Sequence, residues 1–558
     1  MKQLLPNAID PSPVPLVIGV VGHRDPIASE LERLRSAFRA DLEGLLNALP
    51  HTPLLLLNGL ASGMDSIAAE VFLEVVAAQQ ASNPGAPEHQ LVAALPKPQQ
   101  AYEEDFRLPE ELATLRRLLA SCTAVLDPSN CSELRGDVRE GEVLPSPDCY
   151  GQQGIFLVRH CYLLAAFHNG VETMELGGTS QSVTMQKGAV HPLFLNVDEV
   201  IAAREPGALI EYNTPRHKNS YEGERLARVY WLESHNTDPS SNKPFVLSDL
   251  LALPRQIERI NAAIADQPVL PPSWAPKPVE IWAKADQLAV NFKKHYWHSS
   301  LGLMIVCAAI SLSLNDYPWK ILGLLLIILV LVLFPLSQQG PKHEFITYRC
   351  LAESLTVQDF WSDLGVDRDA ADLFHSQTHR DLSWIRTVLR ARRVQLLARY
   401  SQGLPPLKIT AGMVLNWMHG QVSWLNKTIS NQRHIDQRLF WYSLYFFGGS
   451  LLLSFVSLTP VANASFKLAS ELLLAIAVAL FTLRELQGYE ESNARYLRSR
   501  DQFSRGLNAF NQALLTDPKE PKRLQRLRCA LEAVGLEKLD ELNDWVADQL
   551  KRIYKPGG

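Results

Sequence analysis

Three glycine-bearing turns hold the residues best suited to bind an anionic ligand. The first is Gly22-His23-Arg24-Asp25, the second Gly59-Leu60-Ala61-Ser62-Gly63-Met64-Asp65, and the third Glu175-Leu176-Gly177-Gly178-Thr179-Ser180-Gln181-Ser182. Glycine lets backbone amides approach a phosphate or ribose closely, and a helix that starts just beyond the turn adds the positive end of its dipole. Arg24 offers a planar, permanently charged fork that suits a phosphate and suits a structural ion pair equally well. Asp65 can cap the following helix or accept a hydrogen bond from a ribose hydroxyl. Behind Gly177 and Gly178, the hydroxyls of Thr179 and Ser180 can extend a phosphate cradle or cap an ordinary turn. Each turn alone is commonplace; the set of three points to a ligand site.

Other chemistries leave no trace. The sequence has no P-loop, no H-E-x-x-H and no G-x-S-x-G, so nucleotide triphosphate hydrolysis, zinc proteolysis and hydrolase-fold esterase chemistry lack their usual residues. The seven cysteines (Cys122, Cys131, Cys149, Cys161, Cys307, Cys350 and Cys529) are scattered without a C-x-x-C pair, which fits a reducing compartment and gives no metal or disulfide framework. His160 and Cys161 are read as neighbours on a strand, pointing to opposite faces, and so form no catalytic pair. A formal net charge of -5 argues against a general nucleic-acid binder.

The first two turns follow short apolar runs, and that placement defines the fold. LVIGVV (16–21), LLLLN (54–58), LVAAL (91–95), TAVLD (123–127), YLLAAF (162–167) and PLFLNV (192–197) read as strands alternating with longer periodic stretches. Between the first two, Leu31, Leu34, Phe38, Leu42, Leu45 and Leu49 recur at helical steps, giving one apolar face to lie on a sheet. The pattern is α/β: a doubly wound, Rossmann-like parallel sheet, with its ligand outside the carboxyl ends of the strands. Residues 196–276, rich in proline and polar side chains and including EYNTPRHKNSYEGE, read as loop and domain edge.

Beyond about residue 255 the composition changes. Four apolar segments follow in two pairs, Leu301 to Leu314 with Trp319 to Leu336, and Leu439 to Leu458 with Leu468 to Leu483. A bilayer core of about 30 Å asks for about 20 helical residues, which the third segment meets comfortably and the others approach. An all-α organisation results: nucleotide-binding domain 1–255, linker helix 256–298, transmembrane hairpin 299–338, cytoplasmic helical region 339–436, second hairpin 437–484, and cytoplasmic C-terminal helices 485–558. Basic residues at the membrane ends, among them Lys293, Lys294, Lys342, Arg438 and Arg484, put both termini on the cytoplasmic side of an inner bacterial membrane. Glu471 is the one acidic residue in the apolar segments, which makes it a pore candidate or an interfacial neighbour of Lys467. Cys307 is read as a small packing residue in a membrane helix.

GVVGHRDP, LNGLASGMDSIAAE, LVAALPKPQQAYEEDF and ELGGTSQSV together resemble the SLOG superfamily of Rossmann-like nucleotide binders over about residues 14–200. The second motif is also similar to the glycine-rich turn of DprA proteins, and the third to the P-G-G-x-G-T-x-x-E motif of LOG phosphoribohydrolases. With these motifs Pro96 joins the expected ligand contacts Gly22, His23, Arg24, Asp25, Gly59, Ala61, Ser62, Gly63, Asp65, Gly177, Gly178, Thr179 and Ser180. The third motif departs from its family: the proline is missing, and Ser182 stands where the catalytic glutamate would be. N-glycosidic hydrolysis needs a carboxylate, so the resemblance implies binding without turnover, although Glu172 and Glu175 lie near enough to leave a membrane-anchored LOG-like hydrolase as the alternative. YRCLAESLTVQDFW and ESNARYLRSRDQF resemble the membrane-flanking helices of SLOG-linked and SLATT-type bacterial defence effectors. The combination implies an anti-phage membrane effector that binds a nucleotide-derived second messenger, supplied by a signal-producing enzyme, and acts as a homo-oligomer in the bilayer. No cofactor is expected.

Overall fold

A computed structural model of the chain describes residues 13–139, 141–173, 175–189, 207–216, 226–232, 245–266, 284–295, 317–374, 382–458, 464–520 and 522–554. It divides into two compact units, one of residues 1–284 with 354–410, the other of 285–353 with 411–558.

The first unit is built on a seven-stranded sheet of β1 (Leu16–Gly22), β2 (Leu54–Asn58), β3 (Gln90–Ala94), β4 (Ala124–Leu126), β5 (Leu163–His168), β6 (Ala208–Asn213) and β7 (Arg228–Trp231), in the order β4-β3-β2-β1-β5-β6-β7. All pairs are parallel except β6 with β7. Strands β2, β3 and β5 are buried along their whole length, which is why they are spelled as continuous apolar runs. Helix α1 (Leu31–Ala48) lays Leu34, Phe38, Leu42 and Leu45 on the sheet, as their spacing predicts. Phe38 meets Phe167 and Tyr212 edge-on, with ring centroids 5.6 and 5.9 Å away. The remaining helices of the sheet are α2 (Met64–Ser82), α3 (Gln99–Glu103), α4 (Pro109–Ser121), α5 (Ser132–Arg135), α6 (Asp148–His160), α7 (Thr179–Gln186) and α8 (Pro254–Asp266).

Two sequence expectations change. ALIEYN (208–213), placed in a loop and domain edge, is strand β6, paired with β5 along six residues. Its buried polar side chains have partners inside: Glu211 pairs with Lys187, and the Tyr212 hydroxyl donates to the Asp41 carboxylate at 2.7 Å. His160 and Cys161 are not strand neighbours, because His160 ends α6 and bonds Glu133 at 2.6 Å. The sixth expected strand, PLFLNV, lies outside the described residues.

Residues 354–410 pack on this unit although more than a hundred residues separate them from β7. Helix α11 (Ser383–Tyr400) contacts β4, α6 and α8. Gln395 Nε2 donates to the Pro13 carbonyl at 3.0 Å, and Arg392 grips Asp359 through two bonds of 2.8 and 2.9 Å. The region expected as one cytoplasmic block over 339–436 is therefore shared between the two units.

The second unit is helical. It holds a helix over 284–295 (α9), most of α10 (Tyr317–Leu364) and α12 (Leu407–Val456), and α13 (Ala464–Gln487), α14 (Tyr489–Leu515) and α15 (Arg523–Tyr554). The α14–α15 pair closes at Gly506, where a Cβ would sit 2.0 Å from Val534 Cγ2. Two helical stretches among the described residues, Leu407–Val456 and Phe466–Leu515, are long and apolar enough to cross a membrane, with window mean hydropathies of 1.5 and 2.0. At 1.5 Å per residue α12 is about 75 Å long, well over twice a bilayer core, so only its apolar end fits one. The second apolar segment is helical within α10, and the first lies outside the described residues.

Candidate functional site

The order of the strands puts a crevice beside β1. From β1 the chain builds outward through β2, β3 and β4, then returns to β5 on the other side of β1, so loops leave the adjacent ends of β1 and β5 in opposite directions. A cavity of about 320 Å³ lies there, lined by residues that follow β1, β2 and β5 and by α6 and the start of α7.

Glycines let the three turns converge. A Cβ on Gly63, whose φ is +87°, would meet the carbonyl oxygens of both His23 and Arg24 at 2.6 Å, so the second turn lies directly on the first. The Met64 N–H donates to the His23 carbonyl at 3.1 Å across the same contact. The third turn rests on α6: Gly177 has φ +75°, and a Cβ there would lie 2.4 Å from Tyr150 Cβ. Gly178 then caps α7, and the Ser180 hydroxyl accepts from the Thr173 N–H at 2.9 Å, folding the loop after β5 over the pocket.

The charges divide by depth. Arg24 is exposed at the mouth, with its guanidinium 5.6 Å from the Tyr150 ring centre. Arg216 is held on the rim by Asp25, at 2.6 Å. Deeper, burial pushes the Asp65 carboxyl up to about 7, only partly opposed by Arg24 and the nearby amides of Ala61 and Gly22. Asp65 Oδ1 is buried and accepts no hydrogen bond, which costs about 1–3 kcal/mol unless a bound molecule supplies a donor. Burial, with help from Arg216 and His168, pushes His23 down to about 4. His23 is therefore neutral near pH 7, and its Nε2 lies 3.1 Å from both the backbone nitrogen and the side-chain Oδ1 of Asn169, which ties the ring to the loop after β5.

Of the residues expected from sequence, Gly22, His23, Arg24, Ala61, Asp65, Gly177, Gly178, Thr179 and Ser180 line the cavity. Asp25, Gly59, Ser62, Gly63 and Pro96 do not. Asp25 instead anchors Arg216; Gly59 leaves room for Gln153, whose Nε2 would be 2.4 Å from a Cβ there; Gly63 acts through its backbone. Asp65 is not the cap of α2, a position taken by Gly63 without a side-chain bond. Ser182 and Glu175 line the cavity, whereas Glu172 is not among the lining residues.

Sequence reasoning missed Tyr102, Tyr150, Gln153, Asn169 and Arg216. Tyr102 and Tyr150 form the floor and wall: the Tyr102 hydroxyl donates to the Gly59 carbonyl at 3.1 Å, and Tyr150 donates to Asp105, whose two oxygens both accept from Lys97 Nζ at 2.8 Å. Tyr102 lies within the LVAALPKPQQAYEEDF motif, and Tyr150 and Gln153, one helical turn apart on α6, make a wall suited to a flat ring. No known family model matches the chain, and no curated protein is significantly similar to it.

Taken together, the cavity offers two guanidinium groups and a helix start to an anion, aromatic rings to a planar group, and a half-protonated carboxyl to a hydroxyl. Among the described residues no cluster of His, Cys, Asp or Glu could hold a metal ion.

The apolar hairpin of α12 and α13 is closed from within by hydroxyls. Ser450 Oγ donates to the Ser470 carbonyl at 2.9 Å, Ser454 and Ser470 hydroxyls meet at 2.7 Å, and a Cβ on Gly449 would touch Leu473 at 3.2 Å. Phe440, Trp441, Tyr442 and Tyr445 are exposed at one end, where Arg484 pairs with Asp436 at 2.7 Å. Glu471 is exposed near the start of α13, beside buried Ser470.

Proposed function

We propose that the cavity binds a nucleotide-derived ligand without turning it over, and that its occupancy controls an oligomer of multi-pass helices in the bacterial inner membrane. The biological setting that fits is anti-phage defence, in which a signal-producing enzyme supplies the ligand and the helices then leak ions. Four spans per chain, with both termini cytoplasmic, belong to this reading, as does the SLOG-type character of the sheet. The observation that carries it is the convergence of three glycine turns on one cavity at the strand switch point. Arg24 and Arg216 supply charge for phosphate, Tyr150 a face for a base, and Asp65 an unsatisfied acceptor for a ribose hydroxyl. Ser182 in the third turn has no acid to offer, which favours binding over cleavage.

A hydrolase is the second reading, and one observation favours it: Asp65, with a carboxyl near pH 7, and Glu175 both line the cavity. Such a pair is suited to general acid–base work on a glycosidic bond. One experiment separates the two. The full chain in detergent is tested by thermal shift against AMP, ADP-ribose, cyclic ADP-ribose isomers and cyclic or linear oligonucleotides, and each mixture is then chromatographed. Stabilisation by a ligand recovered intact, lost in Arg24→Ala, supports the sensor; consumption of the ligand supports the hydrolase. A 1–255 fragment is the wrong sample, because it lacks residues 354–410.

A further inference from the structure

Helix α6 has two working faces. Tyr150, Gln153, Gly154 and Leu157 line the ligand cavity, whereas Gln152, Ile155, Phe156 and Arg159 line a second cavity of about 440 Å³. At 100° per residue each set forms a single stripe, and the two stripes lie about half a turn apart. The far wall of the second cavity is the 354–410 segment, through Asp367, Asp369, Asp372 and Arg393.

The charges of that second cavity answer one another. Arg393 bonds Glu133 at 2.9 Å and Asp367 at 3.0 Å; Arg390 bonds Asp369 at 2.8 Å and also Asp372; Arg159 of α6 pairs with Asp372. Glu133 also holds His160, the last residue of α6, at 2.6 Å. A set of carboxylates and guanidinium groups already matched in this way is a joint rather than a binding site. It fastens the carboxyl end of α6 to the segment, while the amino end of α6 supports the Gly177 turn at van der Waals distance. The segment is continuous in sequence with α10 and α12, the helices that carry apolar stretches.

Resting on the reading that the first cavity binds a ligand, we infer that α6 is the transmitting element: a ligand seated against Tyr150 and the Gly177 turn repositions α6, and the Arg159–Asp372–Arg390 joint passes that shift to residues 354–410. Coupling of this kind is reciprocal, so the joint must in turn set the affinity of the cavity.

The test uses the full chain in detergent with AMP as probe, reading affinity by calorimetry and backbone deuterium uptake over 383–400. In the natural chain, saturating AMP alters uptake across 383–400. Asp372→Asn changes the AMP dissociation constant about five-fold or more and removes that uptake response. Arg116→Gln, which breaks the exposed Arg116–Glu103 pair elsewhere on the unit, changes neither. Asp372→Glu, which keeps a carboxylate between Arg159 and Arg390, retains the response and shows that Asp372→Asn acted through the charge. AMP binding with the same affinity in Asp372→Asn and unaltered uptake over 383–400 overturns the transmission and leaves the ligand site standing. Absence of AMP binding to the natural chain, with none from the wider nucleotide panel, overturns the ligand site and the transmission with it.

Discussion

The sheet unit and the apolar hairpin of α12 and α13 solve the burial problem in opposite senses. In the sheet, Leu55, Leu56 and Leu57 are fully buried and the polar groups collect at the strand ends. In the hairpin, Leu452 and Phe455 are 66% and 71% exposed while Ser450 and Ser470 are only 4% and 6% exposed. Water drives the first arrangement. The second makes sense where the solvent is lipid, because apolar side chains then gain nothing by turning inward and hydroxyls gain a partner by doing so. One chain therefore carries surfaces suited to two solvents, and under the proposed function a signal between them travels through the protein.

The sharpest break of that contrast is a phenylalanine removed from each region. Phe38→Ala opens a cavity against Phe167 and Tyr212 and should cost about 3–5 kcal/mol in denaturant unfolding followed by sheet-specific probes. Phe455→Ala, on an exposed face, should change stability in detergent by less than about 0.5 kcal/mol. Equal losses would mean that the hairpin surface is packed like a core.

Asp65 supplies the next effect. Its folded carboxyl titrates near 7, above the ordinary value of 3.8, so the folded state holds a proton that the unfolded state has released between those values. Stability of the ligand-free chain is full below about pH 4 as far as this group is concerned, and falls as pH rises through 7. Asp65→Asn should remove that fall, a difference of roughly 4 kcal/mol at pH 8, read from unfolding midpoints across pH. An unchanged pH profile in the variant would place the charge elsewhere.

Arg24→Ala should weaken binding of the stabilising nucleotide about ten-fold or more, the usual loss for one charge-assisted bond, without lowering the unfolding midpoint. Ser470→Ala should show the smallest effect, about 0.6 kcal/mol in hairpin stability, measured by mild-detergent unfolding. A loss above about 2 kcal/mol would mean that the hydroxyl cluster does more than join two helices.

Much of the sheet was legible because it is spelled locally. The helical spacing of Leu34, Phe38, Leu42 and Leu45, and the unbroken runs of β1 and β2, need no knowledge of distant residues. The turns after β1, β2 and β5 were legible for the same reason, since glycine marks the close approaches that Gly63 and Gly177 make. Strand β6 was hidden because Glu211 and Tyr212 look like surface until Lys187 and Asp41 are brought to them. The packing of 354–410 on β4 and α6 was hidden more deeply: arginines that read as cytoplasmic charge, such as Arg390 and Arg393, find their carboxylates only in three dimensions. Tyr150 and Arg216 escaped notice because neither belongs to a glycine motif.

Dye leakage reads whether the cavity is joined to the membrane. The full chain is reconstituted into dye-loaded vesicles of bacterial lipid, and the nucleotide that raises its unfolding temperature is added from outside. Release that depends on that nucleotide, is absent in Arg24→Ala, and leaves the nucleotide intact is the expected result. A protein that binds the nucleotide in these vesicles and releases no dye, or that releases dye equally with and without it, would mean that the cavity does not control the membrane helices.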